Sequence, residues 1–207
     1  MLSNVKSVEA PRGFVTYTGT YRNTEVSVIA TGMGAAMMDF VVREARFVVE
    51  GPMAIVRLGT CGARGLNPGT VAGAGSSVFV TSHKGYEISP PEFPDPKLTE
   101  LVGFPQYRNA TTDSFYSSQG RRDPNFDDRN NELRIDATTM EMETYHLFRL
   151  ARIAAKSAPI HAAAAAIVCA DRDSGDVIAT ETLHAIELSA GTSVLDALVA
   201  FDLTSEP

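Results

Sequence analysis

Met53-Ala54-Ile55-Val56-Arg57-Leu58-Gly59-Thr60-Cys61-Gly62 is the stretch on which the fold turns. Its first six residues are almost continuously apolar rather than alternating. Runs of this kind suit a strand in a sheet that is covered on both faces. The glycines at 59 and 62 predict that the strand ends there in a turn, Gly59 to Gly62.

Upstream, Phe14–Tyr21 and Glu25–Thr31 alternate, with polar Arg22-Asn23 between them, which predicts a hairpin. Gly32-Met33-Gly34 then leads into a helical pattern from Ala35 to about Val49. Downstream, Ser76–Thr81 is a second buried-type strand, and Ser89-Pro90-Pro91 with Pro94 and Pro96 reads as an exposed loop. Ala137–Ala155 reads as a helix, with Thr138 and Glu141 fitting a capping box. Ile160–Cys169 is so rich in alanine that propensity favours helix. It is assigned as a buried strand because Ile167-Val168-Cys169 runs into the polar turn Asp171-Arg172-Asp173-Ser174-Gly175. About Ile178 to Phe201 is helical. Strands alternating with helices predict an α/β fold, a sandwich with a central mixed β-sheet. With no repeat, low-complexity tract or linker, residues 1–207 are expected to form one domain.

The bulk composition narrows the function. A net charge of −7 argues against a nucleic-acid or anionic-membrane binder, though a few local arginines suffice for a small anionic substrate. No apolar run is judged long enough to span a bilayer, and the first six residues lack a signal-peptide core. The two cysteines, Cys61 and Cys169, sit in apolar strand-like stretches and are expected as buried thiols rather than a disulfide or a zinc site. A cytosolic protein is expected.

Several residues carry chemistry. In Ser114-Phe115-Tyr116-Ser117-Ser118-Gln119-Gly120-Arg121, a phenyl ring, an amide and a guanidinium are spaced to hold a flat ring with a polar edge. Phe115 stacks, Gln119 offers a donor and an acceptor, and Arg121 offers a rigid fork; uracil, with two carbonyls flanking an N–H, has matching edges. In helical spacing Glu143 shares a face with Met140, Leu147 and Leu150, so its carboxylate points into the core. It is either a buried structural ion pair or an acceptor for sugar hydroxyls, since an unpaired buried charge costs several kcal/mol. Glu141 falls on another face and is expected to support the site from behind. Arg57 is placed where open α/β sheets bind ligands and suits phosphate, against the plainer reading of an arginine reaching for solvent. Thr60 adds a hydroxyl or is a turn threonine. Gly32-Met33-Gly34 opens a helix, but Met37 occupies the third glycine position of the dinucleotide fingerprint, which argues against NAD. Asp171-Arg172 either contacts a base or makes an ordinary turn. His83, His146, His161 and His184 show no catalytic spacing.

Together these pieces resemble the nucleoside phosphorylase-I family, most closely its uridine phosphorylases, from about Arg12 to about Phe201. Arg57-Leu58-Gly59-Thr60-Cys61-Gly62 is similar to the family's phosphate turn. Phe115, Gln119 and Arg121 match the uracil-binding loop, and Met140-Glu141-Met142-Glu143 matches the ribose motif. Arg12 aligns with an arginine that reaches a neighbouring subunit's phosphate. The resemblance implies a three-layer α/β/α sandwich and the phosphorolysis of uridine to uracil and ribose 1-phosphate. Arg57, Thr60 and a partner's Arg12 would hold phosphate, with Gly62 lining the site. Glu143 and Met142 would hold ribose, and Arg172 would close the base pocket. It implies no organic cofactor and no metal, inorganic phosphate as co-substrate, and a homodimer or homohexamer.

The chain also departs from the family. Relative to it, the sequence starts after the first strand and its Gly-Asp-Pro-x-Arg segment, so a chain lacking its amino-terminal part, with poor phosphate affinity, is expected. Gly13 and Asp171 differ from the bacterial pattern, and the joins at Leu101-Val102-Gly103-Phe104 and Arg129-Asn130-Asn131-Glu132 are short. Two alternatives follow: a weak or silent nucleoside-binding homologue, and a purine nucleoside phosphorylase using Asp171. A hydrolytic nucleosidase would have no use for Arg57.

Overall fold

The computed structural model describes residues 1–82, 87–119, 125 and 135–204. The chain opens with an antiparallel meander of β1 (Ser3–Glu9), β2 (Val15–Tyr21) and β3 (Thr24–Ala30). The expected hairpin joins β2 to β3. Arg22 and Asn23 both take positive φ, 47° and 67°, and pair Tyr21 with Thr24, the tight reversal that matches strand twist. β1 was not anticipated: all of its residues are exposed, so it carries no buried alternation to read.

A helix, α1 (Ala35–Val48), crosses over to β4 (Met53–Ala63). Then follow β5 (Val71–Val80), α2 (Pro96–Val102), β6 (Gln106–Thr112), β7 (Thr139–Glu141), α3 (Thr144–Ile153), β8 (Ile160–Asp171) and α4 (Thr180–Ala200). The strands from β4 onward form one mixed sheet that closes on itself in the order β4-β7-β6-β5-β8. β4 runs parallel to β8, pairing Met53 with Ile160 at one end and Ala63 with Asp171 at the other.

The continuous apolar run has the predicted cause. Met53 and Ile55 pack on α1 and α3 through Met38, Val42, Leu147 and Phe148. Ala54 and Val56 face α2 and α4 through Leu98, Val102, Ala197 and Phe201. Helices therefore cover both sides of the β4–β8 region, which gives three layers. Every residue from Ile160 to Val168 is buried, and tertiary burial overrides the helix propensity of its alanines.

Four local readings change. Gly59–Gly62 is not a turn; β4 continues through it to Ala63, with only a register shift between Cys61 and Gly62. Arg57 is consequently mid-strand rather than at a strand end. Ala137–Ala155 divides into β7 and α3, because Met140 and Glu141 pair with β4 and β6. The proline-rich loop contains a helix start: Asp95 accepts from the Leu98 N–H and Pro96 opens α2. Finally, α4 has the length and apolar composition of a membrane-crossing helix. Here its Ala190, Val194, Leu195 and Ala197 are buried, and its Asp196 accepts from Tyr21 Oη at 2.7 Å.

Candidate functional site

β4 brings Arg57 under the start of α3, where two carboxylates converge on it. Arg57 Nη2 lies 2.5 Å from Glu143 Oε2 and 3.2 Å from Glu141 Oε2. Both carboxylates are buried, and the Arg57 side chain is only 11% exposed. Burial alone would lower the arginine's pKa, but the charges of Glu141 and Glu143 outweigh it and raise it. The remaining Arg57 Nη1 is buried with no hydrogen-bond partner among the described residues. A buried guanidinium donor of that kind calls for an acceptor.

Gly59 explains how the guanidinium fits. A Cβ there would stand 2.7 Å from Arg57 Nη2 and 2.9 Å from Cζ, so the side chain folds back over bare backbone. Gly34, at the amino terminus of α1, donates its N–H to Glu143 Oε1 at 2.5 Å. Thus Glu143 is held by both α1 and β4. Its burial was legible in the sequence; its partners were not.

Glu141 is also buried, and it lies on a strand rather than on the helix face expected for it. Its Oε1 accepts from Asn109 Nδ2 at 2.8 Å and Thr111 Oγ1 at 2.5 Å. Its Oε2 accepts from the N–H groups of Glu143 and Thr144, both at 2.9 Å, and so caps α3. Burial pushes Glu141 up, but Arg57 and the Thr111 and Asn109 hydrogen bonds hold it below the usual carboxylate range. Asn109 and Thr111 lie on β6, a strand that polar Gln106–Thr112 gave no pattern to detect.

The second half of the site centres on Gln119, in a short 3-10 turn at Ser117–Gln119. Gln119 is 2% exposed, not a loop-surface residue. Its Nε2 donates to Thr112 Oγ1 at 3.1 Å, and its Oε1 accepts from Arg172 Nη2 at 3.1 Å. Arg172 lies flat on Gly62, where a Cβ would stand 2.4 Å from Nη2 and 2.5 Å from Cζ. Cys61 lies in the field of both Arg57 and Arg172. Phe115 is 39% exposed and meets Tyr116 edge-on at 5.4 Å. Arg121 and His83 lie outside the described residues.

Other candidates stand apart. Thr60 is exposed. Burial pushes the Cys169 thiol up, against the lowering effect of the Thr60 hydroxyl. Burial, with Glu141, pushes the Cys61 thiol up to about 12, so neither its exposure nor its acidity marks it as a nucleophile. Met142 donates its N–H to Glu143 Oε2 at 3.3 Å. Arg12 is exposed, bonded to Glu44 at 3.2 Å, with its guanidinium 4.4 Å above the Phe40 ring. Asp171 makes the ordinary turn: it accepts from the Asp173 N–H at 3.0 Å, a bond that holds its carboxyl low. His161 is buried against Asp95 at 2.8 Å, and His146 is packed against Phe79.

This chain belongs to the phosphorylase superfamily, whose family model matches residues 1–200. A uridine phosphorylase of the oomycete Phytophthora capsici is 37% identical, with a TM-score of 0.88 over 96% of this chain and 83% of that one. A Trypanosoma brucei nucleoside phosphorylase described as showing uridine phosphorylase activity shares the fold at 20% identity, TM-score 0.76, over 97% of this chain and 86% of its own. A Toxoplasma gondii purine nucleoside phosphorylase, solved with immucillin-H, does so at 18% identity, TM-score 0.75, over 95% and 82%. The expected α/β, nucleoside phosphorylase-like fold with a mixed sheet is therefore the observed one.

Proposed function

We propose that this phosphorylase-superfamily member is a uridine phosphorylase, a pentosyltransferase of nucleoside catabolism and pyrimidine salvage that converts uridine and phosphate to uracil and ribose 1-phosphate. The observation that carries the reading is the buried Gln119 amide locked between Arg172 and Thr112, whose hydroxyl in turn reaches the Glu141 carbonyl. An amide and a guanidinium bonded to each other suit the carbonyl and imide edge of uracil. The oomycete uridine phosphorylase at 37% identity supports the same substrate.

The chemistry follows from charge. The C1′–N1 bond breaks and its electron pair leaves with the base, while positive charge gathers on the sugar. Arg172 and Gln119 favour the anionic base, and the Glu143 carboxylate favours the cationic sugar. A phosphate oxygen then bonds C1′, and the uracil anion takes up a proton from water. Arg57 Nη1 is the buried donor available to phosphate or to a ribose hydroxyl.

Self-association belongs to the same proposal. Phe40 and Phe47 form an exposed apolar stripe along α1, with Met33 exposed just ahead of the helix and Arg12 stacked on Phe40. Covering that stripe with a second copy would carry Arg12 toward the partner. A purine substrate is less well supported, because Asp171 is engaged as an acceptor within its turn and its pKa is lowered rather than raised. The test is uridine with and without phosphate, followed for free uracil. Phosphate-dependent release is expected. Release without phosphate would make the protein a nucleosidase, and silence from a folded protein would make it a binding homologue.

A further inference from the structure

We infer that Glu141 is a positioning residue, which clamps the Arg57 guanidinium and thereby sets where Arg57 Nη1 and the Glu143 carboxylate meet substrate. The inference rests on the reading that Arg57 and Glu143 hold the sugar and phosphate.

Four hydrogen bonds and one ion pair end on this one carboxylate. Asn109 and Thr111 of β6 occupy Oε1, while the first N–H groups of α3 and Arg57 Nη2 of β4 occupy Oε2. Glu141 is 4% exposed, so none of these bonds competes with bulk water. The anchors are themselves tied down. Asn109 Nδ2 also reaches Ser77 Oγ at 2.9 Å, its Oδ1 accepts from Thr139 Oγ1 at 2.9 Å, and Thr111 Oγ1 accepts the Tyr145 N–H at 2.8 Å. Glu141 is therefore fixed relative to four elements before it touches Arg57.

Glu143 alone would leave the guanidinium free to turn about a single strong contact. A second, immobile acceptor on the same Nη2 removes that freedom and fixes the direction of Nη1. The open face of Gly59 allows the clamp, since a Cβ there would lie within 3.0 Å of three guanidinium atoms. No surface ion pair is built this way, and α3 needs no arginine for its cap.

Glu141→Gln tests the idea. The amide fits if the Asn109 side chain turns over, because the Ser77 and Thr139 hydroxyls can each donate or accept. The fold is then kept and the charge is lost. Turnover of uridine is expected to fall about tenfold to a hundredfold, the scale of a misplacement of roughly 1 Å. In an Arg57→Lys background the same change is expected to cost little more, because Glu141 acts through Arg57. Multiplicative losses in kcat would overturn the inference.

A readout besides activity separates this from the proposed function. In protein labelled with nitrogen-15 arginine, Arg57 is expected to show a guanidinium locked against rotation, and to become averaged in Glu141→Gln. A signal that stays locked overturns the positioning role even if turnover falls. If the parent protein releases no uracil, the function fails while the labelled arginine still decides the clamp. Glu141→Asp keeps the charge but not the reach. It decides the matter by the same two readouts should the glutamine variant not fold, and locked Arg57 with full turnover in it would refute the role.

Discussion

Gly62→Ala separates catalysis from stability more cleanly than any substitution of a charged residue. The new Cβ would stand 2.4 Å from Arg172 Nη2, where an ordinary contact needs about 3.5 Å, so the guanidinium must retreat by roughly 1 Å. That movement stretches the 3.1 Å bond to Gln119 Oε1 to about 4 Å, beyond hydrogen-bond range. A hydrogen bond to a charged group is worth about 1.5–3 kcal/mol, and at 1.36 kcal/mol per decade its loss at the base edge predicts a rate about 10- to 100-fold lower. Stability should fall only modestly, because the lost bond costs about 1–3 kcal/mol and part of that is recovered. The group that must move is the tip of a long side chain, and alanine for glycine in an unstrained strand recovers about 0.4–1 kcal/mol from the unfolded chain. Gly59→Ala is the control. Its Cβ would meet Arg57 at 2.7 Å, but that guanidinium is pinned by two buried carboxylates and cannot withdraw. Disturbing a buried pair costs about 3 kcal/mol, or roughly 6–12 °C in Tm for a chain of this size, with activity lost as well. The assay is initial-rate uracil release at saturating phosphate beside a thermal melt of each variant. A Gly62→Ala protein with the parental rate, or one that melts as early as Gly59→Ala, would refute the argument that these glycines seat the two arginines.

Glu143→Gln should lower turnover by about 10²-fold or more, the usual cost of a lost charge-stabilising group, while circular dichroism stays native. Gln119→Ala should lower both rate and stability, the latter by about 1–3 kcal/mol, because the Arg172 donor would lose its acceptor inside the protein; a loss of rate alone in the melt-and-rate comparison would place Gln119 nearer the surface. The depressed pKa of Glu141, set by Arg57 and its hydrogen bonds against the opposing effect of burial, stabilises the fold above the unfolded value of about 4.3. That contribution disappears as pH falls below it, so Glu141→Gln should flatten the acid limb of a Tm-against-pH curve, and an unchanged limb would show that another group governs it.

The legible parts of this protein are those with a local cause. The unbroken apolar run at Met53–Leu58 announced a strand covered on both faces, and α1/α3 and α2/α4 do cover it. The hairpin at Arg22-Asn23, the start of α1 after Gly34 and the buried carboxylate of Glu143 were equally readable, because each follows from periodicity or turn chemistry within a few residues. Motif order likewise sufficed to indicate the family. Tertiary structure alone decided the rest. Gly59 and Gly62 looked like turn residues, yet their purpose is to admit Arg57 and Arg172 against a strand that continues. Met140-Glu141 looked helical, but long-range pairing with β4 and β6 makes it a strand and turns Glu141 inward. Glycine conformations, strand pairing and the acceptors of a buried charge depend on residues thirty to a hundred positions away, and spacing along the chain carries no record of those contacts.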